Sequence, residues 1–191
     1  EPKQFMLLEG LPVLHRSILA FVDACPGVKV VTVLPKEHVS LWEELCISYP
    51  LNVPQRIAVG GITRFHSVRN ALEKVPDGVI VAVHDAVRPL VSRALIKEMF
   101  SRMEKCRALI PVIPVTDTLK SLMRNSDGRI VPSGEPDPDR SHVFGAQTPQ
   151  MFLSEELRAA YESPYDTSFT DDASVAARYG IPLSYIEGER N

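Results

Sequence analysis

Hydrophobic residues recur at two spacings along this chain, and the two alternate. Short, mainly apolar runs occur at Val28 to Leu34, broken only by Lys29 and Thr32, at Arg56 to Val59, at Val79 to Val83, at Ala108 to Val115 in spite of two prolines, and at Leu183 to Ile186. Runs of this kind predict strands, and the densest, Val79 to Val83, predicts one buried on both faces of a parallel sheet. Between them apolar residues fall at helical spacing. Leu14, Ile18, Phe21 and Val22 mark a helix over Val13 to Ala24, stopped by Cys25-Pro26-Gly27, and Pro35 to Ser48 reads as a second. A third starts at a Thr63 cap and carries Phe65, Val68, Leu72 and Val75 on one face; others follow over Ser92 to Lys105, Ser154 to Glu162, and Thr170 to Arg178, closed by Gly180. Strands alternating with helices predict a three-layer α/β fold around a mainly parallel sheet.

Residues 116 to 147 break the alternation. Asn125, Asp127-Gly128, Gly134 and the Pro136-Asp137-Pro138-Asp139 run interrupt short apolar pieces there. The segment predicts an irregular excursion or β-arm projecting from a single domain, a plain solvated loop being the alternative.

Polar chemistry gathers where the predicted strands end. His84 and Asp85 follow the Val79 run directly and Arg88-Pro89 come next, at the carboxyl end of a central strand, where open α/β sheets bind ligands. A strand-end cap and ion pair between Asp85 and Arg88 is the plainer alternative. Gly60-Gly61 sit between a strand and a helix whose first turns carry Arg64 and Ser67; glycine admits close backbone approach and a helix start offers free N–H groups, although such a pair is often only a turn. Asp85 is a hard oxygen donor of the kind Mg²⁺ uses beside phosphates, and Arg88 is a fork suited to phosphate. Spacing alone reaches as far as an α/β protein binding a phosphorylated ligand.

Composition narrows the setting. With 191 residues, 45% of them hydrophobic, the chain can build one sizeable core. A formal net charge of -3 gives no nucleic-acid footprint, and no apolar run approaches the ~20 residues of a membrane span. Cys25, Cys46 and Cys106 are widely spaced and form no Cys-x-x-Cys pair, which predicts a reduced, cytoplasmic setting. Glu1-Pro2-Lys3-Gln4 carries neither a signal-peptide pattern nor an initiator methionine, so the native start is expected upstream.

A family resemblance takes the reading further. Pro2-Lys3-Gln4-Phe5, Gly60-Gly61-x-x-Arg64-x-x-Ser67-Val68, His84-Asp85-Ala86-x-Arg88-Pro89, Asp117-Thr118-x-Lys120, Gln147-Thr148-Pro149-Gln150-x-Phe152, Thr170-Asp171-Asp172-Ala173 and Glu187-Gly188 occur in an order that resembles the 2-C-methyl-D-erythritol 4-phosphate cytidylyltransferase family. The resemblance implies a Rossmann-like nucleotidyltransferase sheet and Mg²⁺-dependent transfer of a cytidylyl group from CTP to methylerythritol phosphate, with release of pyrophosphate. It implies that Lys3 steadies the reacting phosphorus, and that Gly60, Gly61 and Ser67 read the cytosine with Arg64 supporting their loop. Asp85 and Ala86 would meet the ribose and the metal-bound triphosphate, with Asp85 the metal ligand. Arg88, Thr118, Arg140, Thr148 and Thr170 would surround the second substrate. The 116–147 arm would embrace a second subunit to form a homodimer, Arg140 serving the neighbour's site. The family pattern also has a glycine-rich loop upstream of Pro-Lys-Gln and a lysine downstream of Glu-Gly, both outside this sequence, which keeps a non-catalytic nucleotide-binding homologue as one alternative. Ile62 departs from the polar residue often found near the base. Ribitol-5-phosphate cytidylyltransferase, which shares His-Asp-Ala-Val-Arg-Pro and Gln-Thr-Pro-Gln, is the other alternative.

Overall fold

The structure, a computed structural model, describes residues 2–190. In chain order its elements are β1 (Leu7–Leu8), β2 (Leu11–Pro12), α1 (Val13–Ala24), β3 (Val30–Leu34), α2 (Val39–Ser48), β4 (Gln55–Val59), α3 (Arg64–Leu72), β5 (Ile80–Val83) and α4 (Arg93–Arg102). These are followed by β6 (Ala108–Pro114), β7 (Leu122–Arg124), β8 (Ile130–Pro132), β9 (Phe144–Ala146), β10 (Gln150–Leu153), α5 (Ser154–Tyr161), α6 (Asp172–Tyr179) and β11 (Ser184–Glu187).

The main sheet runs β11-β6-β10-β5, with β9 also paired to β6, and β3 pairs in parallel with β4 as a separate ladder. Strands β5, β6 and β11 share one direction; β10, inserted between β5 and β6, and β9 run against it. The α/β class is the expected one, and the reversed strand β10 is the part that periodicity did not expose. Its four residues run straight into α5, leaving no turn to punctuate them. Side chains alternate across the sheet as the pleat requires. Ala108, Ile110 and Phe152 face a core built with Phe65, Leu72, Leu157, Tyr161, Ala176 and Ile181, while Leu109 and Met151 face Leu95, Ile96, Met99 and Ile186. A third cluster of Phe5, Leu14, Ile18, Leu34 and Trp42 fills the space among α1, β3 and α2.

Strand β5 corrects one expectation. It was predicted to be buried on both faces, yet all four of its residues are half-buried. Among the described residues its ladder partner is β10, so one edge is unpaired. Helix α3 stops short of the predicted Val75. The Arg158 guanidinium takes the Leu72 carbonyl at 3.3 Å and the Val75 carbonyl as well, and Pro76 bars helical backbone at the residue before it. Three helix starts are fixed by side-chain caps: the expected Thr63 on α3, Ser92 on α4, and Asp171 on α6, the last a reciprocal capping box with Ser174.

The predicted excursion is present as the β7–β8 hairpin and the turn Arg140–His142. Its base is closed where the Val115 N–H donates to the Val143 carbonyl at 3.2 Å. Residues Phe144 to Ala146 pair with β6, so the projecting part ends sooner than position 147. Among the described residues no helix is long and apolar enough to cross a membrane.

Candidate active site

The segment after β5 is held by a chain of hydrogen bonds with a fixed direction. His84 Nε2 lies 2.9 Å from the Arg88 carbonyl, which can only accept, so Nε2 carries the proton and Nδ1 is bare. Nδ1 therefore accepts from the Thr148 hydroxyl at 3.1 Å, and Thr148 Oγ1 accepts from the Asp85 N–H at 3.2 Å. Burial lowers the His84 pKa, with the Arg88 carbonyl and the Asp85 charge pulling the other way, which favours this neutral ring. Arg88 Nε donates to Asp85 Oδ2 at 3.0 Å, so the strand-end ion pair named as the plainer alternative does form. A cleft of about 200 Å³ opens beyond it, bounded by Arg88, Leu95, Gln147, Thr148 and Glu189.

The glycine loop after β4 approaches the same edge. The Gly60 N–H donates to the Leu34 carbonyl at 2.8 Å, and the Gly61 N–H donates to Ser67 Oγ at 3.0 Å, whose hydroxyl donates to the Thr63 carbonyl at 2.9 Å. A Cβ on Gly61 would stand 2.4 Å from His66 Cβ, so glycine is required here by the tight turn into the helix. The Ser67 hydroxyl is engaged in holding that turn.

Arg64 joins the two segments. Its guanidinium forks onto Asp172 with bonds of 3.0 and 2.6 Å, and Nη2 stands 3.8 Å from Asp85 Oδ1. Asp172 is fully buried and accepts a further 2.5 Å bond from the Tyr161 hydroxyl. Burial acts to lower the Arg64 pKa, but the bonds and charge of Asp172 outweigh it and hold the guanidinium more firmly protonated than usual. Burial, then the Asp172 charge, pushes the Tyr161 hydroxyl well above its ordinary value.

Two glutamines staple the surroundings. Gln150 Nε2 donates to Asp171 at 2.8 Å while its Oε1 accepts from the Ala173 N–H at 2.8 Å, locking the α6 N-terminus onto β10. Gln147 Nε2 donates to the Glu189 carbonyl at 2.7 Å, and Gln147 Oε1 accepts from the Glu189 N–H at 3.0 Å. A Cβ at Gly188 would fall 2.0 Å from Gln147 Oε1, so a side chain there would push the Gln147 amide off the Glu189 backbone. The Glu189 carboxylate in turn accepts from the Ser92 N–H at 2.9 Å.

Of the residues expected at the site, Gly60, Gly61, Arg64, Ser67, Asp85, Arg88 and Thr148 thus form a linked set. Ala86 turns its carbonyl to the Ser17 hydroxyl at 2.9 Å. Lys3 is exposed on the turn Lys3–Phe5, anchored by the buried Phe5, which stacks on Trp42. Thr118 and Thr170 are exposed. Arg140 lies on the arm and donates to the Thr116 carbonyl at 2.8 Å, not to the neighbouring aspartates. The sequence reading assigned no role to Asp172, Tyr161, His84, Gln147 or Gln150. Their motif positions are visible, but burial and long-range pairing are not.

A magnesium ion fits this arrangement in a particular way. Asp85 keeps about 33% of its side chain exposed at the strand end, and among the described residues no group of three or more His, Cys, Asp or Glu could hold a metal. Mg²⁺ held by one carboxylate plus substrate phosphates matches that donor set.

Strand ends that bring a glycine turn at a helix start next to a carboxylate and two guanidinium groups, in an α/β fold with a mixed sheet, are consistent with an α/β nucleotidyltransferase, and the comparisons with known proteins show that class. A family model described as 2-C-methyl-D-erythritol 4-phosphate cytidylyltransferase matches residues 1–191. The Porphyromonas gingivalis protein of that description is 46% identical over 191 residues, covering 98% of this chain and 80% of the relative. The Bacteroides fragilis protein is 39% identical over 189 residues, covering 99% and 83%. Among solved structures, the Thermus thermophilus 2-C-methyl-D-erythritol 4-phosphate cytidylyltransferase superposes with a TM-score of 0.75 at 31% identity, covering 98% of this chain and 84% of that one. The Anaerococcus prevotii 4-diphosphocytidyl-2C-methyl-D-erythritol synthase, at 22% identity, shares the fold with a TM-score of 0.79 over 97% and 84%. The chain belongs to the 2-C-methyl-D-erythritol 4-phosphate cytidylyltransferase family.

Proposed function

We infer that this chain transfers the cytidylyl group of CTP to 2-C-methyl-D-erythritol 4-phosphate, giving 4-diphosphocytidyl-2-C-methyl-D-erythritol and pyrophosphate in non-mevalonate isoprenoid precursor synthesis. The observation that carries the reading is the family match across residues 1–191, and the joined sheet-edge segments support it. A phosphate oxygen of the sugar-alcohol substrate bonds to the α-phosphorus of CTP. The bond to the bridging oxygen breaks, and its electron pair leaves with pyrophosphate. The nucleophile is already ionised at neutral pH, so no general base is needed.

The chain's task is to position two anions and cancel their repulsion. The Gly60–Ser67 turn presents backbone groups to the cytosine, with Arg64 bracing it. Asp85 would hold Mg²⁺, which when bound would supply charge neutralisation on the triphosphate, and Ala86 would border the ribose. Lys3 contributes a cation to the phosphorus in the transition state. Arg88, Thr148, Thr118, Thr170 and, from a partner's arm, Arg140 receive the second substrate. Residues 116–147 act as the arm of a two-fold homodimer; exposed apolar side chains on it, Leu122 at 52%, Met123 at 51% and Ile130 at 63%, give such a contact something to bury. The setting is cytoplasmic, in keeping with three free cysteines.

The test is pyrophosphate release by full-length protein given CTP and each of methylerythritol and ribitol phosphate. Selective turnover of methylerythritol phosphate is expected. Equal release from ATP or GTP would remove the base-reading role from Gly60, Gly61 and Ser67.

A further inference from the structure

Asp172 is a wholly buried carboxylate in the wall of the site, and the chemistry above makes no use of it. Two carboxylates flank the Arg64 guanidinium. Asp172 takes both of its outer nitrogens, at 3.0 and 2.6 Å. Asp85 stands one step farther, 3.8 Å from Nη2, roughly 1 Å beyond a charge-assisted hydrogen bond. Arg64 side-chain rotation alone could close that gap. Asp172 cannot follow it, because it sits in the first turn of α6, and Gln150 pins that turn through the Ala173 N–H and the Asp171 cap. The Tyr161 hydroxyl fixes the rotamer of the carboxylate from the other side. Asp85 already gives Oδ2 to Arg88. A second guanidinium on Oδ1 would leave both oxygens neutralised.

We propose that Asp172 is a positioning residue that holds Arg64 off Asp85 and so keeps the Asp85 carboxylate open to a divalent cation. This rests on the reading of Asp85 as the Mg²⁺ ligand. Asp172 thereby couples the base-reading turn, which Arg64 braces, to the cation requirement of nucleotide binding. A carboxylate buried purely to support the fold would have no such link.

The experiment measures CTP binding by calorimetry at a series of Mg²⁺ concentrations, on full-length protein without the second substrate, so that no turnover occurs. Asp172→Asn keeps the shape and the acceptor for Tyr161 but removes the charge. It is expected to raise the half-saturating Mg²⁺ concentration about tenfold, the scale on which a cation close to a carboxylate stabilises its charge. Arg64→Gln removes the competing cation and should lower it about threefold, and the double variant should follow Arg64→Gln. Opposite shifts from the two partners of one ion pair cannot come from shared structural damage. If Asp172→Asn does not fold, as judged by near-ultraviolet circular dichroism, Arg64→Gln decides: an unchanged or raised requirement overturns the proposal. An unchanged requirement in folded Asp172→Asn, beside an altered one in Asp85→Asn, likewise overturns it. If Asp85→Asn itself changes nothing, the Mg²⁺ reading of Asp85 fails and the proposal with it.

Discussion

At the sheet edge, Arg64 reaches across 108 positions of sequence to Asp172, Asp85 reaches 63 to Thr148, and Gln147 reaches 42 to Glu189. On the arm, the polar bonds stay within its own loop: Lys120 to Asp137 and Ser121 to Ser133, with Arg140 reaching back only to Thr116. The first set is locked by long-range bonds among partly and wholly buried groups, so folding of one chain fixes those side chains relative to one another. In the second set the Ser121–Ser133 bond is part-buried, but the charged groups are exposed, where ion pairs are worth little. The arm can thus orient Thr118 and Arg140 relative to itself, while its relation to the chemistry depends on what it meets. In the proposed function the sheet edge serves its own subunit's reaction and the arm a neighbour's.

The largest expected effect falls on Lys3, on the exposed turn outside the linked set. In the proposed reaction Lys3 would act where charge develops as pyrophosphate leaves, so Lys3→Ala should lower kcat by roughly 10²- to 10³-fold in steady-state assays, with little change in KM for CTP. A raised KM at unchanged kcat would mean uniform binding instead. On the arm, Arg140→Ala would remove the proposed charged contact to substrate phosphate, and kcat/KM for methylerythritol phosphate should fall by roughly 10- to 100-fold, with the midpoint of thermal unfolding unmoved. A shifted midpoint would show that the Arg140–Thr116 bond supports the fold.

Stability separates the regions in the same sense. Gln150→Ala leaves the Ala173 N–H and one Asp171 oxygen without the partner they have now, at a cost of about 1–3 kcal/mol in denaturant unfolding. Lys120→Ala, which breaks an exposed arm pair, should leave the unfolding curve in place.

The smallest effect is set by pH. Burial lowers the pKa of both His84 and His15. A histidine with a folded pKa below its unfolded value of about 6.5 is stabilising when neutral, and that stabilisation is lost as pH falls below about 6.5, where the unfolded chain takes up the proton. The unfolding midpoint should therefore drop between pH 7 and pH 5. His15 is 1% exposed beside Trp42. The Tyr49 backbone offsets part of its shift, yet neither ring nitrogen makes a hydrogen bond of acceptable geometry. His15→Leu should accordingly flatten the acid limb without destabilising at pH 7, and an unchanged limb would assign the whole slope to other groups.

The same contrast decides what could be read before any coordinates. Helix α1 falls over Val13–Ala24 as predicted, and Thr63 and Gly180 cap the helices they were expected to cap, because these signals are local. The arm announced itself through its turn residues. The antiparallel direction of β10, the half-buried state of β5 and the Arg64–Asp172–Tyr161 cluster stayed hidden, since each depends on partners far away in sequence.

Subunit mixing tests the division between edge and arm most directly. Full-length Lys3→Ala and Arg140→Ala proteins, each impaired alone at methylerythritol phosphate well below KM, are allowed to exchange subunits under that condition. If Arg140 serves the neighbour's site, a mixed dimer has one site with both lesions and one with neither, so activity rises above both parents toward half the wild-type value per mixed dimer. If exchange is demonstrated independently and the mixture shows no more than the average of its parents, Arg140 serves its own subunit and the division fails.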